Sequence, residues 1–346
     1  MTDFRIDSHK LMFHPKRVAA WQLAGDEWEL AKSVYPIYVE VSPVGACNHR
    51  CTFCAVDFIG YKSVQLETDL LCQRLDEMAK LGVRSIMLAG EGEPLLHKNI
   101  NNIVRSAVAS GIDVAITTNG VLLDKLETID LCSWVKVSVN AGTRETYSKV
   151  HRTKAEDFDR VWKNIELAAG RKGDCALGVQ MVVLPENEHE QRNLVSRATI
   201  AGVDYVVFKP YSQHKFSITH EYEHFRAKPD YAQPPNGPQV YWRDDAPSHE
   251  PQSYTKCHAT PNFWAYIMAT GDVYSCSAYL LDERFKLGNI NELSFREIWH
   301  SEARRRNWEL VRHALDIGEC RRNCRMHKTN EYLDALVHGV EHMSFI

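Results

Sequence analysis

A repeated strand–helix pattern between residues 37 and 209 constrains the fold of this 346-residue chain most strongly. Short β-branched apolar runs alternate with amphipathic stretches whose apolar side chains recur every three or four positions. The pattern predicts six strands, at 37–41, 85–88, 113–117, 134–138, 177–183 and 205–209, and helices at 68–81, 99–110 and 155–169. Strands that alternate with helices pair in parallel, so we expect an α/β fold with its helices on one side of the sheet.

Three cysteines follow the first predicted strand. Cys47, Cys51 and Cys54 lie in the run CNHRCTFC. Four thiolates normally hold a four-iron cluster, so three of them leave one iron open for a substrate or cosubstrate. A partial zinc site is the alternative that the same residues allow. The run AGEGEP at 89–94 follows the second predicted strand, and Asn119 follows the third. Ligands bind at the carboxyl ends of parallel strands, and the sequence therefore predicts one site at this edge.

The CxxxCxxC spacing, with Phe53 inside it, resembles the signature of the radical S-adenosylmethionine (SAM) superfamily. The resemblance implies a partial (β/α)6 TIM-like barrel. It also implies that the open iron of a 4Fe–4S cluster binds SAM, and that one electron cleaves SAM to methionine and a 5'-deoxyadenosyl radical. A flavodoxin- or ferredoxin-type protein is the electron donor that the resemblance implies.

The same resemblance implies a set of SAM contacts. Gly92-Glu93-Pro94 is similar to the end of the family's Gly-Gly-Glu-Pro motif, with Glu91 in place of the first glycine. By this resemblance the Glu93 carboxylate accepts hydrogen bonds from the SAM ammonium. Phe53 is expected at the adenine, and Arg152 at the methionine carboxylate. The full expected set is Phe53, Gly92, Glu93, Pro94, Asn119, Ser138, Asn140, Arg152 and Gln180. For Arg152 and Gln180 a surface or structural role remains open.

A second group of cysteines, Cys257, Cys276, Cys320 and Cys324, would close a metal site completely. Residues 264–269 and 273–276 are predicted strands around a Thr-Gly-Asp turn. This arrangement resembles the SPASM/twitch extension of a radical SAM branch. Four cysteines fit the single auxiliary 4Fe–4S cluster of a twitch domain rather than the two clusters of a SPASM domain. A structural zinc is the alternative.

Four segments are expected: an N-terminal extension (1–36), the barrel (37–211), a cap or linker rich in proline and aromatic residues (212–256), and the twitch domain (257–346). The net charge of −4 makes a long nucleic acid an improbable partner. The basic run 304–306 is expected on a solvated helix face. Without a membrane-length apolar run, and with a polar N-terminus, the chain is expected in the cytoplasm and off the membrane.

The expected function is removal of a hydrogen atom from a small polar substrate of sugar, aminocyclitol or nucleoside type. The auxiliary cluster then accepts an electron, making the reaction an oxidation. Lys209 and Tyr211 are candidates for the base that takes the hydroxyl proton, as is His214. The alternatives are a redox-neutral or bond-breaking reaction (epimerase, decarboxylase, isomerase or lyase), with Cys175 as the hydrogen donor of an epimerase, modification of a peptide, or a noncatalytic metal-binding scaffold.

Overall fold

The computed structural model describes residues 9–222, 224–243, 253–320 and 324–345. Its core is a parallel sheet in which seven strands follow one another in chain order. These strands are β1 (Tyr38–Val41), β2 (Ser85–Leu88), β3 (Asp113–Thr118), β4 (Trp134–Ser138), β5 (Ala176–Val183), β6 (Tyr205–Pro210) and β7 (Gln239–Trp242). The six strands that the sequence predicts are confirmed, with ends that differ by a residue or less.

Ten α-helices lie among the described residues. They are α1 (Pro15–Ala24), α2 (Trp28–Ala31), α3 (Thr68–Lys80), α4 (Ile100–Ala109), α5 (Arg144–His151), α6 (Glu156–Ala169), α7 (Gln191–Ala201), α8 (Phe295–Trp299), α9 (Glu302–His313) and α10 (His327–His338). In α3, the Glu67 side chain caps the first turn, and Leu71, Leu75 and Met78 are buried at helical spacing against the sheet.

The C-terminal region extends the same sheet instead of forming a separate one. Strand β8 (Trp264–Ile267) pairs in parallel with β1, with Val41 opposite Ile267. Strands β9 (Asp272–Tyr274) and β10 (Lys286–Asn289) then continue it in antiparallel fashion. The sheet order is therefore β10-β9-β8-β1-β2-β3-β4-β5-β6-β7, a partial barrel with an antiparallel C-terminal continuation.

Strand β7 lies in the segment expected to be a cap or linker. Residues 239–242 pair in parallel with β6, with Phe208 opposite Trp242. The strand has only four residues and follows a Pro-rich stretch, which is why periodicity does not reveal it. The rest of the described part of 212–243 forms loops beside the barrel mouth.

Arg304 corrects one expectation from the sequence. It lies in α9, but its side chain is fully buried and donates hydrogen bonds to the backbone carbonyls of Pro261 (3.2 Å) and Trp299 (3.0 Å). Arg305 and Arg306 are the exposed members of the run. Among the described residues, no helix combines the length and the apolar composition that a membrane span requires.

Candidate functional site

One cavity of about 400 Å³ lies inside the mouth of the barrel. Its walls contain all seven cysteines of the two predicted sets, Cys47, Cys51, Cys54, Cys257, Cys276, Cys320 and Cys324. The carboxyl ends of the strands β1 to β6 also contribute to it. The two cysteine groups, more than 200 positions apart in the chain, therefore face one space.

The first three cysteines converge in the loop after β1. The Cys54 amide donates to the Cys51 carbonyl (3.2 Å), and the His49 amide donates to Cys47 Sγ (3.4 Å). Burial, with Glu93 and Cys54 nearby, raises the pKa of Cys47 to about 11. A cation that replaces these thiol protons removes the cost of burying negative thiolates, and so the donor set fits an iron–sulfur cluster.

The four later cysteines also approach one another. Burial raises the pKa of the Cys276 thiol, and the charges of Cys324, Cys257 and Cys320 raise it further. Polar groups surround the sulfurs: Asn330 Nδ2 donates to Cys257 Sγ (3.6 Å), and the Tyr279 hydroxyl lies 3.5 Å from Cys320 Sγ. None of the ten cysteines forms a disulfide. Four thiolates fit either a closed 4Fe–4S cluster or a structural zinc.

The Gly-Glu-Pro turn after β2 is packed against the cysteine loop. The Glu93 amide donates to the Ala46 carbonyl (2.9 Å), and a side chain at Gly92 would collide with the carbonyls of Val44 and Ala46. Glycine at 92 is thus required by close backbone approach.

The Glu93 carboxylate is already engaged by the protein. It accepts hydrogen bonds from the Thr118 hydroxyl (2.6 Å), the Asn119 amide (2.8 Å) and the Leu95 amide (3.1 Å). Burial raises its pKa. Glu93 ties the loops after β2 and β3 together and also lines the cavity, so its expected contact with an ammonium group stays a prediction.

Comparison with known proteins gives two family matches. Residues 41–198 match the Radical SAM superfamily, and residues 257–325 match the SPASM iron–sulfur cluster-binding domain. The chain belongs to the radical SAM superfamily. Its C-terminal region is a SPASM domain, which implies at least one auxiliary cluster beside SAM and the radical SAM 4Fe–4S cluster.

Individual relatives match over part of their length. The GTP 3',8-cyclase of Chlorobaculum tepidum is 37% identical over 134 residues, which are 37% of this chain and 40% of that protein. Molybdenum cofactor biosynthesis protein moc-5 of Caenorhabditis elegans is 30% identical over 190 residues, 52% of this chain and 31% of that protein. The fold resembles that of Streptococcus suis SuiB bound to S-adenosylmethionine, with a TM-score of 0.58 at 18% identity, covering 78% of this chain and 66% of SuiB.

Most residues expected to contact SAM line the cavity beside the radical SAM cysteines. These are Phe53, Gly92, Glu93, Asn119, Ser138, Asn140 and Gln180. Pro94 is buried directly behind them at the start of a short helical turn. Asn119 Nδ2 donates to Asn48 Oδ1 (2.7 Å), and Asn140 Oδ1 accepts from the Val182 amide (2.8 Å).

Arg152 does not reach this cavity. It follows the end of α5 with a left-handed backbone (φ 48°), and its side chain is exposed. The expected pairing of Arg152 with the methionine carboxylate is therefore not supported by its position.

The candidates for proton and hydrogen transfer separate into two groups. Lys209 and Tyr211, at the carboxyl end of β6, line the cavity. His214 is buried behind them and stacks on Phe58 with 5.0 Å between ring centroids. Cys175 precedes β5, at the opposite end of the strand, and its buried thiol belongs to the core between sheet and helices. It is thus not placed to donate hydrogen to a substrate in this cavity.

Two histidines that the sequence gives no signal for lie at the radical SAM cysteines. His151 Nδ1 is 3.1 Å from Cys51 Sγ, and Nε2 is 2.9 Å from the Val139 carbonyl oxygen. Burial lowers the pKa of His151 to about 3. His49, Cys51 and His151 bring ligand atoms within 4.8 Å of one another, a geometry that a single metal ion would also fit.

An ion pair between a buried carboxylate and a partly exposed arginine joins the barrel to the SPASM domain at the cavity. Arg325, the residue after Cys324, donates to the Glu40 carboxylate on β1 and to the Tyr38 hydroxyl (3.3 Å). Glu40 and Arg325 both line the cavity. Nothing in their local sequence pattern predicts the pair, because the partners are 285 positions apart.

Proposed function

We propose that this enzyme oxidises a small polar substrate of sugar, aminocyclitol or nucleoside type by hydrogen-atom abstraction from an alcohol carbon. The observation that carries the proposal is the single cavity that contains both cysteine sets. A substrate held there lies between the SAM site and the auxiliary cysteines. When bound, the first cluster supplies the electron that splits SAM to methionine and a 5'-deoxyadenosyl radical, and the auxiliary cluster accepts the second electron of the oxidation.

The chain's own residues would position the reactants. Asn119, Ser138, Asn140 and Gln180 offer neutral donors and acceptors to SAM hydroxyls at the ends of β3, β4 and β5. Lys209 or Tyr211 would take the hydroxyl proton, since both reach the cavity from β6. Overall, one C–H hydrogen goes to 5'-deoxyadenosine, one O–H proton goes to the base, and one electron leaves the substrate radical.

We further propose one auxiliary 4Fe–4S cluster, because the second site contains four thiolates and all are needed to close one cubane. Two cubanes predict about eight iron atoms per chain in anaerobically reconstituted protein, and about four in the C276A variant or in a C47A/C51A/C54A variant. Zinc in the second site would leave about four iron atoms in the wild type and one zinc that C276A loses.

The chemical test is SAM cleavage. Reconstituted enzyme with SAM and dithionite should form 5'-deoxyadenosine, and the triple-cysteine variant should form none. Candidate alcohols deuterated at the carbinol carbon should then transfer deuterium to 5'-deoxyadenosine and yield a ketone. Absence of 5'-deoxyadenosine from the wild type would contradict the radical mechanism.

A redox-neutral or bond-breaking reaction remains the second candidate, because the curated relatives that match part of the chain include proteins named as a cyclase. It would transfer deuterium without forming a ketone. The position of Cys175 outside the cavity argues against an epimerase that uses this thiol. Product analysis separates the two candidates directly.

A further inference from the structure

One tyrosine lies beside each cysteine set, and an exposed cationic side chain packs on the ring of that tyrosine. Tyr61 lies close enough to Cys54 to lower the pKa of that thiol, and the Arg50 guanidinium lies 4.2 Å from the Tyr61 ring centroid. The Tyr279 hydroxyl lies 3.5 Å from Cys320 Sγ, and Lys215 Nζ lies 4.1 Å from the Tyr279 ring centroid. In each site, the exposed cation, the tyrosine and the cysteine therefore form a short route from the protein surface to the cluster site.

The two routes open onto neighbouring loops. The Asp57 carboxylate accepts hydrogen bonds from the Ile218 amide (3.0 Å) and the Thr219 hydroxyl (3.4 Å), which joins the loop after Cys54 to the loop after β6. The Phe58 and Phe216 rings are 5.8 Å apart, and Lys62 and Leu281 line one small cavity. The loops thus form one surface, which we call the carrier face, with exposed residues Arg50, Lys62, Lys215, Phe216, Ile218 and Leu281.

The carrier face combines cations with exposed apolar side chains. Phe216, Ile218 and Leu281 are 44%, 74% and 48% exposed. Arg50, Lys62 and Lys215 are exposed on the same face. The Asp57 carboxylate is engaged by the loop after β6 and the Asp282 carboxylate by Arg284 (2.7 Å), whereas Glu283 beside Leu281 is exposed. An apolar centre with a charged rim is typical of a protein-binding site, and cationic rims recruit acidic partners.

We infer that the carrier face docks an acidic one-electron carrier protein of the flavodoxin or ferredoxin class. The inference rests on the proposed function, in which each SAM cleavage consumes one electron that a protein must deliver. A carrier at this face would lie over the Arg50–Tyr61–Cys54 route. Since substrate oxidation returns one electron at the auxiliary site, the adjacent Lys215–Tyr279–Cys320 route gives the same surface access to it.

The first test measures binding. Reconstituted holoenzyme is titrated with a flavodoxin, and separately with a ferredoxin, at low and high salt. The Lys62→Glu/Lys215→Glu variant should bind about tenfold more weakly at low salt, and the difference should shrink at high salt. Lys163→Glu, an exposed charge reversal on α6, is the matched control and should bind as the wild type does.

A second pair of variants tests the apolar centre. Ile218→Asp should weaken carrier binding because it adds a negative charge to the carrier face. Ile200→Asp, at an 82% exposed position on α7, should not. Iron content and dithionite-driven 5'-deoxyadenosine formation should stay within about twofold of the wild type in all four variants, since exposed substitutions perturb the fold little.

The rate of cluster reduction by reduced flavodoxin, followed by loss of cluster absorbance, supplies the kinetic readout. The two carrier-face variants should be slow with flavodoxin and normal with dithionite. Equal binding by all variants, equal losses in the control variants, or no carrier binding by the wild type would overturn the inference. If dithionite fails to yield 5'-deoxyadenosine while carrier binding follows the pattern above, the proposed function fails and the docking site stands.

Discussion

At the scale of single residues, the turn after β2 holds two loops of the cavity together. Glu93 accepts three hydrogen bonds from the loops around it, and Gly92 lets the turn press against the cysteine loop. The family motif predicts where these residues lie. It does not predict that the Glu93 oxygens are occupied by Thr118 and Asn119, since those partners come from the next strand.

Gly92→Ala should displace the cysteine loop, because the added Cβ would lie 2.5 Å from the Ala46 carbonyl oxygen. We expect the reconstituted variant to bind SAM at least about tenfold more weakly and to retain less iron. Equilibrium dialysis with SAM and iron analysis measure both. Gly170→Ala is the control, since its nearest neighbour would be 3.7 Å away and its φ is −74°. Normal SAM binding by Gly92→Ala would contradict the close packing of Gly92 against the cysteine loop.

Glu91 should make stability depend on pH. Its carboxylate accepts from the Ala269 amide (2.9 Å) and the Tyr266 hydroxyl (3.2 Å), and burial raises its pKa to about 7. The unfolded chain releases this proton near its usual pKa of 4.5, below the folded value, so the folded state binds more protons between these values. The Glu91 contribution to stability is therefore present below about pH 4.5 and is lost as pH rises to about 7.

Glu91→Gln keeps the shape and the acceptor for the Ala269 amide but carries no charge. The difference in the free energy of unfolding between the variant and the wild type should shift in favour of the variant as pH rises from 5 to 8, by up to about 3 kcal/mol. Anaerobic denaturant unfolding at both pH values measures the difference. A constant difference across this range would show that Glu91 does not titrate in it.

At the scale of secondary-structure elements, the strands of the barrel are the part that sequence predicts best. A buried parallel strand such as β2 or β4 is a short β-branched run between turns, and its position is fixed locally. Strand β7 is missed because its pairing with β6 is a tertiary contact that Gln239 and Val240 do not signal. Likewise, the sequence alone allows Cys175 to be either a buried core residue or a hydrogen donor. Its place at the amino end of β5, away from the cavity, decides for the core.

Helix α9 depends on one buried arginine. Arg304 donates to the carbonyls of Pro261 and Trp299 and stacks on the Trp299 ring with 4.2 Å to its centroid. Burial lowers its pKa to about 9. Arg304→Met would leave these buried carbonyls without donors, and we expect a loss of about 2–4 kcal/mol in the free energy of unfolding.

The neighbouring residue provides the control for Arg304. Arg305 is exposed and pairs with Glu309 one turn along the helix (3.1 Å). Arg305→Met should cost less than about 0.5 kcal/mol. Chemical denaturation of the reconstituted proteins compares the two, and equal costs would refute the structural role of Arg304.

At the scale of the whole molecule, the Glu40–Arg325 ion pair connects the first barrel strand to the segment that follows the last cysteine. The Glu40 carboxylate is buried, whereas Arg325 is partly exposed, so removing the arginine leaves a buried charge without its partner. Arg325→Met should destabilise the protein by about 1–3 kcal/mol, because the buried Glu40 carboxylate loses its charged partner. Glu40→Met/Arg325→Met should recover most of that loss, because no unpaired charge remains.

A double-mutant cycle on unfolding free energies measures this coupling. The second single variant, Glu40→Met, completes the cycle, and iron content is measured for each protein to exclude loss of a cluster as the cause. Additive effects of the two substitutions would mean that the ion pair does not couple the barrel to the C-terminal domain.

The pairing of β8 with β1 has a consequence for dividing the protein. Strand β1, which leads into Cys47, hydrogen-bonds to β2 on one side and to β8 on the other. A fragment that stops before β8 would therefore carry the first cysteine loop on a bare sheet edge, where strands of other molecules can add. Shortened versions of this enzyme should self-associate through that margin, so its two metal-binding halves are best studied as an undivided polypeptide.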